Sequence, residues 1–204
     1  MMSLLFRKAI LVALHANRFI RSRMRAFVYR DSLLECGSCF APGPGLELRA
    51  AANISIGSTF RTGRNVRIHA WPSYAGHILA QPGEVLIEIG DNVFINDNSY
   101  VTGAYGIRIG DNCLIGSNVL ITDNSHGEIV FTTSPRASEP LSGRGQIQIG
   151  ENVWICNNVV LTAGVTIGAN SIIAANSVVT SNVQNGTLVG GAPAKLIRSL
   201  HASF

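Results

Sequence analysis

The stretch IGENVWICNNVVLTAGVTIGANSIIAANSVV, residues 149–179, decides the fold. Read in sixes, it places Ile149, Ile155, Leu161, Ile167, Ile173 and Val179 in one slot without a miss. The same slot recurs upstream at Ile89, Ile95 and Val101, and again at Ile109, Ile115 and Ile121. Gly often follows it (Gly90, Gly110, Gly116, Gly150, Gly168), and the fifth position is small or β-branched, as at Val93, Ser99, Val153 and Ser171. A rougher copy runs through Ile56, Thr62 and Ile68. A period of six matches neither the 3.6 of a helix nor the 2 of a lone strand. It fits a triangular solenoid, in which six residues make one flat side and a corner, and three sides close a coil of about 18 residues. The aliphatic residue points inward, and each one buried contributes about 1.5–3 kcal/mol. Asn and Gly gather between the slots because corners need left-handed or bridge conformations.

Composition agrees. Of 204 residues, 47% are apolar, 14% charged and only 7% aromatic, which excludes disorder and predicts a core without large rings. The net charge of +4 is uneven: Arg7, Lys8, Arg18, Arg21, Arg23, Arg25 and Arg30 face only Asp31 and Glu35 in residues 1–35. The basic character therefore belongs to an N-terminal arm, and no nucleic-acid-binding body is expected. Helical spacing in the arm puts Arg7, Arg18, Arg21 and Arg25 opposite Ala9, Val12, Ala16, Ile20 and Phe27. Such an arm packs on the solenoid end, or adheres to anionic lipid or a polyanionic substrate. The apolar run Ala9–Leu14 is too short to span a membrane or to read as a secretory signal, so a cytoplasmic protein is expected, with membrane contact only through the arm. Cys36 and Cys39 form a lone C-x-x-C with no second ligand pair, so reduced thiols and no metal are expected.

Along the chain, residues 1–35 read as the arm, 36–53 as a connector, 54–183 as the solenoid and 184–204 as a turn and tail. Two segments break the period, near 69–85 and 127–146, and must leave the body as loops. Of five histidines, His126 stands at the root of the second loop, in the sixth position of the repeat that begins at Ile121.

The repeat, with His126, the run from Ile149 to Ile155 and the ending Gly190-Gly191-Ala192-Pro193-Ala194-Lys195, resembles the hexapeptide-repeat acyltransferases over residues 54–198. The resemblance is to galactoside, maltose, nodulation and xenobiotic acetyltransferases, and in style to colanic-acid and O-antigen O-acetyltransferases. It implies an all-β fold, a left-handed parallel β-helix, assembled as a homotrimer with active sites between subunits. It also implies acetyl-CoA as co-substrate and His126 as general base, with Asn96 lining the acceptor site. Trp154, Ala175 and Thr180 match the pantetheine path, the backbone N–H of Asn157 matches an oxyanion donor on a neighbouring subunit, and Lys195 and Arg198 match phosphate contacts. Four of these residues also have a plainer reading: a corner asparagine for Asn96, a packed edge for Trp154, a solvated tail for Lys195 and Arg198.

The chemistry suits these residue types. An alcohol is a poor nucleophile at neutral pH, so an imidazole must take its proton as it attacks a thioester. Where the family often carries an acidic pair against a sugar hydroxyl, this chain has Gly103 and Ala104. That departure, with the arm, favours a sugar of a surface polysaccharide or its precursor over a small acceptor such as an amino acid, antibiotic or free sugar. A metal enzyme of the γ-carbonic-anhydrase kind needs three imidazoles converging on zinc, and only His126 is read in a regular coil. A scaffold without catalysis remains the other class.

Overall fold

The computed structural model describes residues 26–81, 83–127, 133 and 135–200. The chain winds as a parallel β-helix of triangular section. The first face stacks Glu35–Cys36, Ile54–Ile56, Ile87–Ile89, Ile107–Ile109, Ile147–Ile149 and Thr166–Ile167. The second carries Arg61–Thr62, Phe94–Ile95, Leu114–Ile115, Trp154–Ile155, Ile172–Ile173 and the hairpin Thr187–Gly191 with Ala194–Ser199. The third stacks Glu47–Arg49, Arg67–Ala70, Tyr100–Gly103, Leu120–Thr122, Val160–Leu161 and Val178–Val179.

Register follows the sixfold slot. Ile89 lies between Ile56 and Ile109, Ile95 between Thr62 and Ile115, and Val101 between Ile68 and Ile121. All twelve slots are at most 3% exposed, so the core is one continuous column of aliphatic side chains. The corners are asparagine ladders. Asn92, Asn112, Asn118, Asn152, Asn158, Asn170 and Asn176 all hold φ between 54° and 59°, a region asparagine tolerates better than other residues with a Cβ. Their amides stack from coil to coil, as in Asn152 Nδ2 to Asn170 Oδ1 at 2.7 Å and Asn158 Nδ2 to Asn176 Oδ1 at 3.0 Å. At Gly90 a Cβ would come within 2.2 Å of Asp111 Oδ1 from the next coil, so the glycine beside that corner is a packing requirement.

The structure differs from the sequence reading at both ends. The expected connector is already a coil: Cys36 pairs with Ile56, Ala41 bridges Arg61, and Leu48 pairs with Ile68. Its period was hidden because Cys36 and Pro42 occupy slots that elsewhere hold aliphatics. Phe40 and Leu46 fill the inner corners, with the Phe40 ring stacked on Phe60 at 5.8 Å. The expected terminal turn and tail is a β-hairpin that extends the second face.

Residues 1–25 of the arm lie outside the described residues. A helical turn at 26–30 caps the open core, as the first of the two readings of the arm expects for its described end. Ala26 and Tyr29 pack on it, the Tyr29 hydroxyl donates to Leu46 O at 2.6 Å, and Leu33 is buried. Phe27, read as part of the apolar side, is 71% exposed. No helix among the described residues is long and apolar enough to cross a membrane.

Candidate active site

Both excursions leave from the same edge of the prism, where the third face turns back to the first. The first departs after Ala70 and returns at Ile87; the second departs after Thr122 and returns at Ile147. Between them, residues 104–106 make the same corner tightly. That turn is held by Asp123, whose fully buried carboxylate accepts the N–H groups of Ala104 (2.8 Å), Tyr105 (2.9 Å) and Gly106 (2.7 Å). One carboxylate thus fixes the root of the second excursion to the coil above it. Tyr105 adds a second tie, its hydroxyl donating to Leu141 O at 2.5 Å. Burial and the nearby Asp123 charge both push the Tyr105 hydroxyl toward its protonated form.

His126 therefore stands past the coil instead of within it. Ser125–His126 pairs antiparallel with Leu141–Ser142, and the Ser142 hydroxyl donates to Gly127 O. The His126 ring is exposed, its neighbour being Tyr74 of the first excursion, with ring centroids 5.3 Å apart. The Tyr74 hydroxyl donates to Ala137 O at 3.1 Å, so the two excursions touch across 63 residues of sequence.

A cleft of about 610 Å³ lies on the other side of the Ser125–Ser142 pair. Thr122, Asn124, Ser125, Ser142, Arg144 and Thr180 are among its walls. Thr180, expected on the cofactor path, thus borders the hairpin that carries His126. A shallower groove of about 780 Å³ on the first face, between Arg108 and Asn185, contains no histidine or cysteine.

The remaining candidates lie elsewhere. Asn96 sits at the corner before the third face, its Oδ1 accepting from the N–H of Asp97 at 3.1 Å. It is a face-width from His126, roughly 15 Å at ~3.3 Å per residue, so one chain does not bring the two together. Trp154 projects from the second face, 47% exposed, between Leu114 and Ile172. Asn157 and Ala175 follow at the next corner. Asn157 Oδ1 accepts the N–H of Ser117 at 2.9 Å, as Asp97 Oδ1 does for Arg64 at 2.8 Å. Ala175 has no such oxygen, and among the described residues the N–H of Asn157 has no hydrogen-bond acceptor. Lys195 and Arg198 are exposed on the last strand of the hairpin. The candidates thus form two groups on different edges of the prism, His126 with Thr180 on one and Asn96, Trp154, Asn157, Ala175, Lys195 and Arg198 on or beside the second face.

Where relatives by resemblance hold an acidic pair, there is little room for one. A Cβ on Gly103 would lie 2.9 Å from Ile87 Cγ1, and Ala104 is 1% exposed.

The other described histidines do not join His126. His77 is exposed on the first excursion. His69, read as bordering a loop, lies in a regular strand and is buried. Its Nδ1 is 2.9 Å from the Tyr100 hydroxyl and its Nε2 3.1 Å from Glu47 Oε1. No group of three metal-ligating side chains occurs among the described residues. Burial lowers the His69 pKa, opposed by the Glu47 carboxylate and assisted by Arg67 and Arg49. The unfolded chain then takes up a proton at the ordinary value, about 6.5, before the folded chain does. Stability is full above that value and falls as pH drops through it toward the lowered one. Urea midpoints measured at pH 7.5 and 5.5 should fall in that order, and His69→Gln should flatten the difference; an equal fall in both proteins would assign it to other groups.

Comparison with known proteins adds three findings. The family "Bacterial transferase hexapeptide (six repeats)" matches residues 146–181, and "Hexapeptide repeat of succinyl-transferase" matches residues 87–123. Galactoside O-acetyltransferase of Escherichia coli (strain K12) is 38% identical over 115 residues, 56% of this chain and 55% of that protein. The chain thus spans about half the length of the curated relative it matches. Among solved structures, a hexapeptide-repeat acetyltransferase of Vibrio cholerae O1 biovar eltor, complexed with acetyl-CoA, is 29% identical with a TM-score of 0.56. The match covers 88% of this chain and 78% of that one. The N-acyltransferase AntD of Bacillus cereus, in complex with a dTDP-amino sugar and coenzyme A, has a TM-score of 0.70 over 87% of this chain and 90% of its own. At 17% identity, that likeness concerns the fold alone.

Proposed function

We propose that this chain, two segments of which match hexapeptide-repeat transferase families, is an acetyl-CoA-dependent O-acetyltransferase acting on a sugar hydroxyl. The observation that carries this reading is the exposed His126 imidazole, held on a braced hairpin where both excursions meet. The acceptor oxygen attacks the thioester carbonyl while His126 takes the hydroxyl proton. The tetrahedral oxyanion is met by a backbone N–H, for which the unsatisfied donor of Asn157 is suited. The C–S bond then breaks, the proton passes from His126 to the thiolate, and ester and free coenzyme A leave. The pantetheine arm follows Trp154, Ala175 and Thr180, with Lys195 and Arg198 at the phosphates, where both charges suit an anion.

A homotrimer is part of the proposal. His126 and the Trp154–Asn157 group lie on different edges of one prism, so a neighbouring chain must bring them face to face. The exposed apolar side chains of the second face, Leu114, Trp154, Leu196 and Ile197, are of the kind such a contact covers. The constriction at Gly103 and Ala104 favours an acceptor recognised by something other than a pair of carboxylates, which suits a residue within a surface polysaccharide or its precursor.

Calorimetry with acetyl-CoA and sedimentation velocity test the reading together. One acetyl-CoA bound per chain on a particle of three chains is expected. A monomer that binds no acetyl-CoA at millimolar concentration would leave a scaffold as the better account. Mass spectrometry of polysaccharide from a deletion strain then identifies the acceptor.

A further inference from the structure

The first excursion has no part in the mechanism above, yet its side chains run in an unbroken series from the solenoid body to His126. The Arg49 guanidinium lies 3.8 Å over the Trp71 ring, and Trp71 Nε1 donates to Thr102 Oγ1 at 2.9 Å, which fixes the indole to the third face. Tyr74 packs edge-on to Trp71 with centroids 5.8 Å apart. Its other contact is the tilted one to His126, 5.3 Å at 57°, and its hydroxyl reaches Ala137 of the second excursion. Ser73–Tyr74 and His77–Ile78 form a short antiparallel hairpin, so Tyr74 is carried on paired backbone.

We propose that Tyr74 is a positioning residue, its ring fixing the plane of the His126 imidazole and its hydroxyl holding the second excursion against the first. The proposal rests on His126 being the base. An exposed imidazole on a two-residue strand turns freely about χ1 and χ2, and proton abstraction needs one orientation within hydrogen-bond reach of the acceptor. Side-chain rings confine it from one side. Arg49, Trp71 and Thr102 keep the Tyr74 ring from swinging away, which makes the first excursion a rigid wall for a residue some fifty positions later in the chain.

The test compares Tyr74→Leu and Tyr74→Phe in the full chain. Tyr74 is half-buried on an excursion outside the solenoid core, so both variants should fold, with melting temperatures close to that of the wild type. In spectra of histidine-labelled protein, assigned with His126→Gln, the His126 ring protons should carry a ring-current shift that disappears in Tyr74→Leu and persists in Tyr74→Phe. Turnover should fall about 10–100-fold in Tyr74→Leu with KM for acetyl-CoA unchanged, and about fivefold or less in Tyr74→Phe, which keeps the ring but loses the tie to Ala137. A Tyr74→Leu enzyme that loses the shift yet turns over at the wild-type rate overturns the inference and leaves His126 its role. So does a wild-type spectrum without the shift. Full turnover in His126→Ala removes the base itself, and the inference with it.

Discussion

His126→Ala should lower kcat by about 10²–10⁴-fold while leaving acetyl-CoA affinity within about twofold of wild type. The size follows from what the imidazole does. Without it, the acceptor hydroxyl must attack with its proton in place or lose it to water, while binding and the oxyanion donor remain. The selectivity follows from where it sits. The ring is exposed, and the hairpin beneath it is held by other groups: the Ser125–Ser142 pairing, the Ser142 hydroxyl on Gly127 O and the Tyr105 hydroxyl on Leu141 O. Truncation therefore removes a proton acceptor without removing a support. Steady-state kinetics beside calorimetry separates the two effects, and a variant that turns over at near-normal rates would take His126 out of the mechanism. Weakened cofactor affinity with intact kcat would assign it a binding role instead.

The second large effect concerns Asp123, which touches no substrate in this account. Asp123→Ala leaves three backbone N–H groups unpaired at a site closed to water, and each such donor costs on the order of 1–3 kcal/mol. The three share one acceptor and the corner relaxes, so the expected loss is about 3–5 kcal/mol, a large part of the stability of a domain this size. Asp123→Asn keeps one acceptor oxygen and should lose less, about 1–3 kcal/mol. Urea denaturation reads both losses, and a midpoint within error of wild type for the alanine variant would show the turn to be held some other way. Because Asp123 anchors the strand that carries His126, turnover in Asp123→Asn should fall further than its residual fold explains.

Legibility in the sequence followed the repeat. From Ile87 onward a single slot, occupied by Ile, Leu or Val, determines which residues are buried and which coil stacks on which, and every one of the twelve is buried. Where the slot holds Cys36 or Pro42, the same geometry is present but the signal is not, and a full coil passed for a connector. The hairpin at 187–199 escaped for a related reason. Its second strand, Ala194–Ser199, is antiparallel and largely exposed, so no inward column marks it. His126 was legible from its place at the root of an interruption. Asp123 was not, because an aspartate at a corner looks the same whether its oxygens meet water or three buried donors. Tyr74 was not either, since its partners His126 and Ala137 are 52 and 63 residues away.

The sequence by itself determined the triangular solenoid, the inward column and the two points where the chain must leave it. Those depend on local spacing, and a strict period leaves one way to bury its aliphatic residues. Only the tertiary structure decided that both excursions leave the same edge and meet over one imidazole. It also decided that Asn96 and Asn157 stand a full face away from that imidazole. Which edge an insertion leaves is set by how the coils are counted around the prism, and contacts between two insertions are set by packing across many coils, which no window of six residues contains.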